Sequence, residues 1–169
     1  MKETKLIVLR GPSGSGKSSI AKAIQTEWLD HNNPMAYVEQ DYFRRIVLKE
    51  KDVAGGFNIQ MIKETVLFLL HNQYDVIMEG IFDKGRYEEM FKEIIRNHPS
   101  NNFFFYFDIS FEETLRRHDT RLNNNEFGEK EMRSWYKSEN FLESIRENII
   151  GERHAFDDTV KHIRIVANL

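Results

Sequence analysis

A chain of 169 residues with 40% hydrophobic and 30% charged residues has the composition of one soluble globular domain, and it is too apolar to be disordered. The absence of cysteine excludes a disulfide framework, a thiol nucleophile and a cysteine-ligated zinc site. A net charge of −3 gives no overall attraction to nucleic acid, and no apolar run is long enough to cross a membrane. We therefore expect a single cytoplasmic domain over residues 1–169, either a monomer or a homodimer, without a signal peptide.

A strand, a glycine-rich loop and a helix follow one another at the start of the chain. Residues 5–10 form a short apolar run that is typical of a buried parallel strand. Residues 11–18 match the pattern G-x-x-x-x-G-K-[ST] of the phosphate-binding loop, and residues 19–31 have the apolar spacing of a helix. The residues expected to contact a bound nucleotide are Gly11, Pro12, Ser13, Gly14, Ser15, Gly16, Lys17, Ser18 and Ser19.

This loop has the chemistry to hold a polyphosphate. The first turn of a helix carries unpaired N–H groups and a partial positive charge, and both favour a bound phosphate. Glycine allows the backbone to approach the phosphates closely. Lys17 is expected to reach the β- and γ-phosphates, and the Ser18 hydroxyl is expected to join the coordination shell of Mg²⁺. The loop therefore predicts ATP and Mg²⁺ as cofactors.

Helix and strand patterns alternate through the rest of the chain. The later strands are predicted at residues 35–39, 74–80, 102–108 and 160–166. The later helices are predicted at residues 42–49, 58–71, 86–97, after Ser110, and at residues 129–149. This alternation predicts an α/β fold in which helices cover both faces of a parallel sheet. The strand at 102–108 is apolar on both faces and should lie centrally.

Parallel sheets bind ligands beyond the carboxyl ends of their strands, so polar residues there are candidate site residues. Asp41 follows the second strand and is expected to orient or deprotonate a substrate hydroxyl, or alternatively to cap the next helix. Arg44 is expected to contact the acceptor in preference to Arg45, because it shares a helix face with Asp41. Glu79 ends the third strand and is expected to hold Mg²⁺ or, alternatively, the acceptor, while Gly80 allows close backbone approach.

The helix after Ser110 combines a capping pattern with two spaced arginines. Ser110 and Glu113 have the spacing of a capping box. Arg117 and Arg121 lie four residues apart, on one helix face, and precede an Asn-rich connection at 122–128 that is typical of a mobile lid. We expect both arginines to neutralise charge on a transferring phosphoryl group, the alternative being a solvated basic helix.

The glycine loop, Asp41 and the Arg117/Arg121 pair together resemble the small P-loop kinases, a group that includes shikimate, gluconate and nucleotide kinases. Residues 40–44 are similar to the D-x-F-R segment of the zeta-toxin and chloramphenicol phosphotransferase group, in which the aspartate activates the acceptor hydroxyl. The Gly-His-Phe element of gluconate kinases is missing, so gluconate is not carried over.

The resemblance implies a three-layer P-loop NTPase fold with a five-stranded parallel sheet in the order 2-3-1-4-5. It also implies a small helical lid at about residues 117–135. The adenine base would lie near the last strand, with Arg117 beneath it or on the phosphates.

The predicted activity is transfer of the γ-phosphoryl group of ATP to a hydroxyl of a small-molecule acceptor. The residues expected to select that acceptor are Phe43, Phe57, Phe82 and Tyr87. One alternative is a polynucleotide 5′-end kinase with a basic groove, which the acidic net charge disfavours. The other is an ATPase switch controlled by a protein partner; the base-reading N-K-x-D segment of GTPases is absent from the sequence.

Overall fold

The computed structural model describes residues 3–28, 34–120 and 127–169, and its centre is a sheet of five parallel strands. The strands are β1 (Leu6–Arg10), β2 (Met35–Glu39), β3 (Asp75–Gly80), β4 (Asn102–Asp108) and β5 (Asn148–Gly151). They are hydrogen-bonded in the order β2-β3-β1-β4-β5, which confirms the predicted arrangement.

Helices pack on both faces of this sheet. They are α1 (Lys17–Trp28), a π-helix (Tyr42–Val47), α2 (Phe57–His71), α3 (Lys84–Asn97), α4 (Phe111–Asp119), α5 (Glu129–Trp135) and α6 (Phe156–Ala167). Successive side chains of β1 point to opposite faces, so Leu6 joins the core under α2 and α3, whereas Ile7 joins the core under α1 and α6. Because helices cover both faces of the sheet, the first four residues of β1 are all apolar. No helix in the described ranges is long and apolar enough to cross a membrane.

The predicted helix at residues 129–149 is wrong, because α5 covers only its beginning and β5 occupies its end. The segment between them is held by side chains that bind its backbone. The carboxylate of Glu88 accepts hydrogen bonds from the N–H groups of Glu143 and Ser144, at 3.0 and 2.9 Å. Glu147 accepts a third from the N–H of Leu142, at 2.8 Å. Such bonds offer the backbone an alternative to helical pairing.

The predicted strand at residues 160–166 is also wrong, because this stretch belongs to α6. Its buried side chains are Val160, Ile163 and Ala167, which recur every three or four residues. Ile165, which an alternating strand would bury together with Ile163, is 65% exposed. The fifth strand is therefore β5, a four-residue segment earlier in the chain.

The predicted capping box at the start of α4 is half formed. Ser110 accepts a hydrogen bond from the N–H of Glu113 at 3.3 Å, which confirms the N-cap. The Glu113 carboxylate does not return to Ser110 but binds Arg116 and Arg117, at 2.6 to 2.7 Å. These two arginines lower the pKa of Glu113 to about 2. Glu113 therefore orients arginines of its own helix.

Candidate active site

The loop between β1 and α1 curls around a cavity of about 180 Å³ at the carboxyl edge of the sheet. Gly14 and Gly16 adopt φ angles of 81° and 98°, a region that favours glycine. A Cβ atom at Gly14 would lie 2.7 Å from the carbonyl oxygen of Thr114, so a side chain there would collide with α4. The glycines therefore allow both the curl of the loop and its close packing.

We call this cavity the phosphate cavity, and Lys17 and Ser18 both line it. The ammonium group of Lys17 is buried and donates hydrogen bonds to the carbonyl oxygen of Pro12, at 2.7 Å, and to the hydroxyl of Ser15, at 3.1 Å. The Ser18 hydroxyl donates to a carboxylate oxygen of Glu79 at 2.8 Å. The loop thus presents a cation and a hydroxyl–carboxylate pair to the same space.

A network of hydrogen bonds holds Glu79, which is only 4% exposed. The Tyr37 hydroxyl donates to the oxygen of Glu79 that also accepts from Ser18, at 2.9 Å. Glu39 faces Glu79 across the β2–β3 pair and lines the same cavity. Burial, and next the charge of Glu79, raises the pKa of both Tyr37 and Glu39. The sequence analysis missed Glu39, although an acid at the end of β2 was a visible signal.

The donor set at Ser18 and Glu79 fits Mg²⁺, which prefers oxygen ligands and is usually bound by one or two protein groups together with phosphates and water. Among the described residues, no group of three His, Cys, Asp or Glu side chains is arranged to hold a metal. An ion beside Ser18 and Glu79 would therefore take most of its ligands from a nucleotide and from water.

Asp41 lies where the phosphate cavity meets a second cavity of about 300 Å³, and it lines both. Its two carboxylate oxygens pair with successive arginines: one accepts from Arg44 at 2.7 Å, and the other lies 3.2 Å from Nε of Arg45. Asp41 occupies the N-cap position of the π-helix, but its side chain makes no capping hydrogen bond. Arg44, the predicted acceptor-side arginine, and Arg45 thus both lie beside Asp41.

Charged groups dominate the second cavity, which we call the acceptor cavity. Arg86 pairs with Asp52 at 2.8 Å, and Lys137 pairs with Asp83 at 2.5 Å. The side chains of Lys51 and Arg44 add two further cations to the lining. The sequence analysis missed most of this lining, because it comes from four separate segments that only the fold brings together.

The aromatic residues expected in this cavity lie elsewhere. Phe82 and Tyr87 are fully buried in the core under α2 and α3, Phe43 packs against that core, and Phe57 is 66% exposed. Tyr87 still affects the cavity from beneath, because its hydroxyl donates to Asp52 at 2.7 Å. The expectation that these rings line the acceptor pocket was therefore wrong.

Gly80 lines the phosphate cavity, and the group that approaches its backbone most closely is the side chain of Gln40. A Cβ at residue 80 would collide with this side chain. Gln40 is buried, donates to the Tyr87 hydroxyl at 2.7 Å and accepts from the N–H of Phe82 at 3.1 Å. It therefore holds the turn after β3, a role that the sequence did not indicate.

Arg117 bridges the phosphate loop and the loop after β5. Its guanidinium donates to the carbonyl oxygens of Ser15 and Glu152, both at 3.0 Å, and to Glu113 at 2.7 Å. It lines a third cavity of about 330 Å³, together with Ser19 and residues of the β5–α6 region. The resemblance to small kinases placed the adenine base in this region. Arg121 and residues 122–126 of the predicted lid lie outside the described residues.

Two aromatic residues, one shortly before α5 and one at its end, border the phosphate cavity. Phe127 and Trp135 line it, and their ring centroids are 5.2 Å apart. The buried ring of His118 stacks on Phe127 at 4.9 Å, and its Nε2 lies 3.0 Å from the Phe127 carbonyl oxygen. Neither ring was among the site residues expected from the sequence.

Solved kinase structures share this fold. The structure of the Mycobacterium tuberculosis APS kinase CysC in complex with AMPPNP and APS has a TM-score of 0.73 at 14% identity, with 100% of both chains covered. A sugar kinase from Janibacter sp. HTCC2649 has a TM-score of 0.71 at 16% identity, covering 96% of this chain and 93% of that one. A gluconokinase from Sinorhizobium meliloti 1021 has a TM-score of 0.67 at 15% identity, covering 99% and 94%.

Sequence comparison assigns a family. No curated protein matches this chain. The family model described as "Zeta toxin" matches residues 2–168. That match contains the phosphate loop, Asp41, Glu79 and Arg117, which are the residues around the three cavities. Because the match spans nearly the whole length, this chain belongs to the zeta toxin family.

Proposed function

We propose that this protein is an ATP- and Mg²⁺-dependent phosphotransferase that moves the γ-phosphoryl group to a hydroxyl of a small-molecule acceptor. The observation that carries the proposal is the position of Asp41 between the phosphate cavity and the acceptor cavity. Membership of the zeta toxin family supports it, as does the likeness to kinases named for APS, sugars and gluconate. A carboxylate between donor and acceptor is what phosphoryl transfer to a hydroxyl requires.

Each part of the nucleotide has a matching group in this proposal. The loop amides and Lys17 hold the β- and γ-phosphates. Ser18 and Glu79 hold Mg²⁺, which when bound neutralises charge on the phosphate oxygens. Tyr37 keeps Glu79 in place through its 2.9 Å hydrogen bond. The adenine base occupies the third cavity, where Arg117 is fixed by two backbone carbonyls.

The transfer step takes place beside Asp41. The acceptor lies in the acceptor cavity, and its hydroxyl donates a hydrogen bond to the Asp41 carboxylate. The acceptor oxygen forms a bond to the γ-phosphorus while the bond from phosphorus to the bridging oxygen breaks, which leaves ADP. The hydroxyl proton passes to Asp41. Closure of the lid at about 117–135 excludes water from the step.

A direct test combines an acceptor screen with two variants. Hydroxyl-bearing metabolites are screened by thermal shift with AMPPNP, because a bound acceptor raises the midpoint by mass action. Transfer of the γ-phosphoryl group is then measured for the best acceptors. Lys17→Ala should lose both nucleotide affinity and transfer. Asp41→Asn, which keeps the size of the side chain, should lose transfer by about 100-fold or more while it retains nucleotide affinity.

Three results would contradict the proposal. Normal turnover by Asp41→Asn would remove Asp41 as the base. Nucleotide affinity that survives in Lys17→Ala would remove the loop as the phosphate site. Phosphorylation of oligonucleotide 5′ ends, without transfer to any small molecule, would replace the acceptor class by nucleic acid.

A further inference from the structure

Arg45 sits between two aromatic rings at the junction of the two cavities. Its guanidinium carbon lies 5.3 Å from the ring centroid of Trp135 and 5.9 Å from that of Phe127. Its side chain lines both the phosphate cavity and the acceptor cavity, and its Nε lies 3.2 Å from an Asp41 oxygen. A planar guanidinium stacked on rings keeps one orientation more firmly than a free side chain would.

The other site arginines face different parts of the site. Arg44 lines the acceptor cavity, and Arg117 lines the third cavity with its guanidinium bound to two carbonyl oxygens. Within residues 3–28, 34–120 and 127–169, Arg45 is the one arginine that lines the phosphate cavity. The sequence-based preference for Arg44 concerned the acceptor, whose cavity both Arg44 and Arg45 line.

The hydrogen bonds of Arg45 are incomplete. Its Nε is buried and makes no hydrogen bond of good geometry, although it lies near Asp41. A buried donor without an acceptor is costly, and an anion entering the cavity would relieve that cost. Trp135 ends α5, and Phe127 lies two residues before that helix and is in turn held by His118 of α4. The position of Arg45 therefore depends on how α4 and α5 hold these two rings.

We propose that Arg45 is a catalytic residue that contacts the transferring phosphoryl group, and that Phe127 and Trp135 are positioning residues that aim it there. The inference rests on the proposed function. During transfer, negative charge spreads over the equatorial oxygens of the phosphoryl group, and a positioned arginine stabilises that charge. When the guanidinium binds these oxygens, its pairing with Asp41 weakens, which leaves an Asp41 oxygen to accept the hydroxyl proton.

The first test uses water in place of the unknown acceptor. Release of the γ-phosphate from ATP is measured for wild type, Arg45→Gln and Arg45→Lys, alongside the affinity for AMPPNP. Arg45→Gln should hydrolyse ATP about 100-fold more slowly, with AMPPNP affinity within about threefold of wild type. Arg45→Lys should recover only part of the rate, because lysine keeps the charge without the planar fork.

Arg133 provides a matched control on the same lid. Its guanidinium carbon lies 4.3 Å from the ring centroid of Phe111, so it too stacks on an aromatic ring, but its side chain is 65% exposed and lines neither cavity. Arg133→Gln should hydrolyse ATP at the wild-type rate. If Arg133→Gln lost as much ATP hydrolysis as Arg45→Gln, the assignment would be overturned. The loss would then follow from removing any arginine–ring contact near α5, and not from the position of Arg45 in the phosphate cavity.

The second test examines the positioning role through Trp135. Its fluorescence should change when ADP with aluminium fluoride, which imitates the transferring phosphoryl group, is added to wild type. That change in tryptophan fluorescence should be absent in Trp135→Phe, which leaves the buried Trp28 as the only tryptophan, and much smaller in Arg45→Gln. Trp135→Phe should keep most of the hydrolysis rate because it keeps a ring, whereas Trp135→Leu should lose most of it.

The outcomes separate this inference from the proposed function. If wild type neither binds AMPPNP nor hydrolyses ATP, the kinase proposal fails and this inference fails with it. If wild type is active and Lys17→Ala is inactive, while Arg45→Gln hydrolyses ATP within about threefold of wild type, only the role of Arg45 is overturned. Equal rates for Trp135→Leu and Trp135→Phe would overturn the positioning role of the ring.

Discussion

The buried ion pair between Arg10 and Glu147 offers the sharpest test of how this fold is held together. The Arg10 side chain is fully buried, and its guanidinium donates to both oxygens of Glu147 at 3.0 and 2.9 Å and to the carbonyl oxygen of Phe82 at 2.8 Å. Glu147 also accepts the N–H of Leu142. The pair therefore joins the end of β1 to the irregular segment before β5. We take Glu147→Ala as the perturbation.

The expected cost follows from what Glu147→Ala leaves behind. This substitution leaves the buried Arg10 guanidinium without its carboxylate partner, and removing one partner of a buried ion pair costs about 3–5 kcal/mol of folding stability. A change of 1 kcal/mol in the free energy of unfolding moves the thermal unfolding midpoint of a chain of this size by about 2–4 °C. A loss of about 4 kcal/mol therefore lowers that midpoint by about 8–16 °C. Glu147→Gln keeps an acceptor for the Leu142 N–H and should lose less than Glu147→Ala.

Urea denaturation followed by circular dichroism, with thermal melts in parallel, measures these losses. The control is the double variant Arg10→Met with Glu147→Leu, which replaces the pair by apolar groups of similar volume. It should be more stable than Glu147→Ala, because no charge is left buried without a partner. If Glu147→Ala unfolded within about 1 kcal/mol of wild type, the pair would not hold the segment before β5 and this reasoning would be refuted.

Two further predictions concern the phosphate loop and the response to acid. In Gly14→Ala the new Cβ would lie 2.7 Å from the Thr114 carbonyl oxygen, so this variant should lower AMPPNP affinity, measured by calorimetry, about tenfold or more. The control is Gly55→Ala, whose Cβ would have no neighbour within 4 Å, and it should leave that affinity unchanged. Burial raises the pKa of Glu88, but hydrogen bonds from Ser144 and the backbone outweigh this effect and hold the pKa below 4.5. The stability that the ionised carboxylate contributes is therefore lost as the pH falls below 4.5. The difference in unfolding free energy between wild type and Glu88→Gln should therefore shrink from about pH 6 to about pH 3, and a constant difference would contradict this.

The parts of the site that follow one another along the chain were predictable from the residues. The phosphate loop is one continuous segment, so its spacing alone predicts the curl and the positions of Lys17 and Ser18. Asp41 follows the end of β2, and Glu79 is the penultimate residue of the neighbouring β3. The rule for parallel sheets places such positions along one edge. The 2.8 Å bond between Ser18 and Glu79 agrees with that expectation.

The wrong predictions in the last third of the chain have a common physical cause. β5 has only four residues, and Ile149, one of its two apolar side chains, is 47% exposed, so its local apolar pattern is weak. Its strand state is fixed by pairing with β4 and by the distant Arg10–Glu147 bond. Residues 160–166 contain enough β-branched side chains to imitate a strand, but burial against α1 selects the helical face.

By itself, the sequence determined the phosphate loop, the positions of the first four strands and the acids at the strand ends, because each is encoded by neighbouring residues or by local periodicity. The tertiary structure alone decided which segment became the fifth strand, which charges line the acceptor cavity and which arginine lines the phosphate cavity. Arg45 lies against Phe127 and Trp135 only in the folded chain. Contacts between residues about 80 to 90 positions apart leave no trace in local patterns, since they depend on how the whole chain packs.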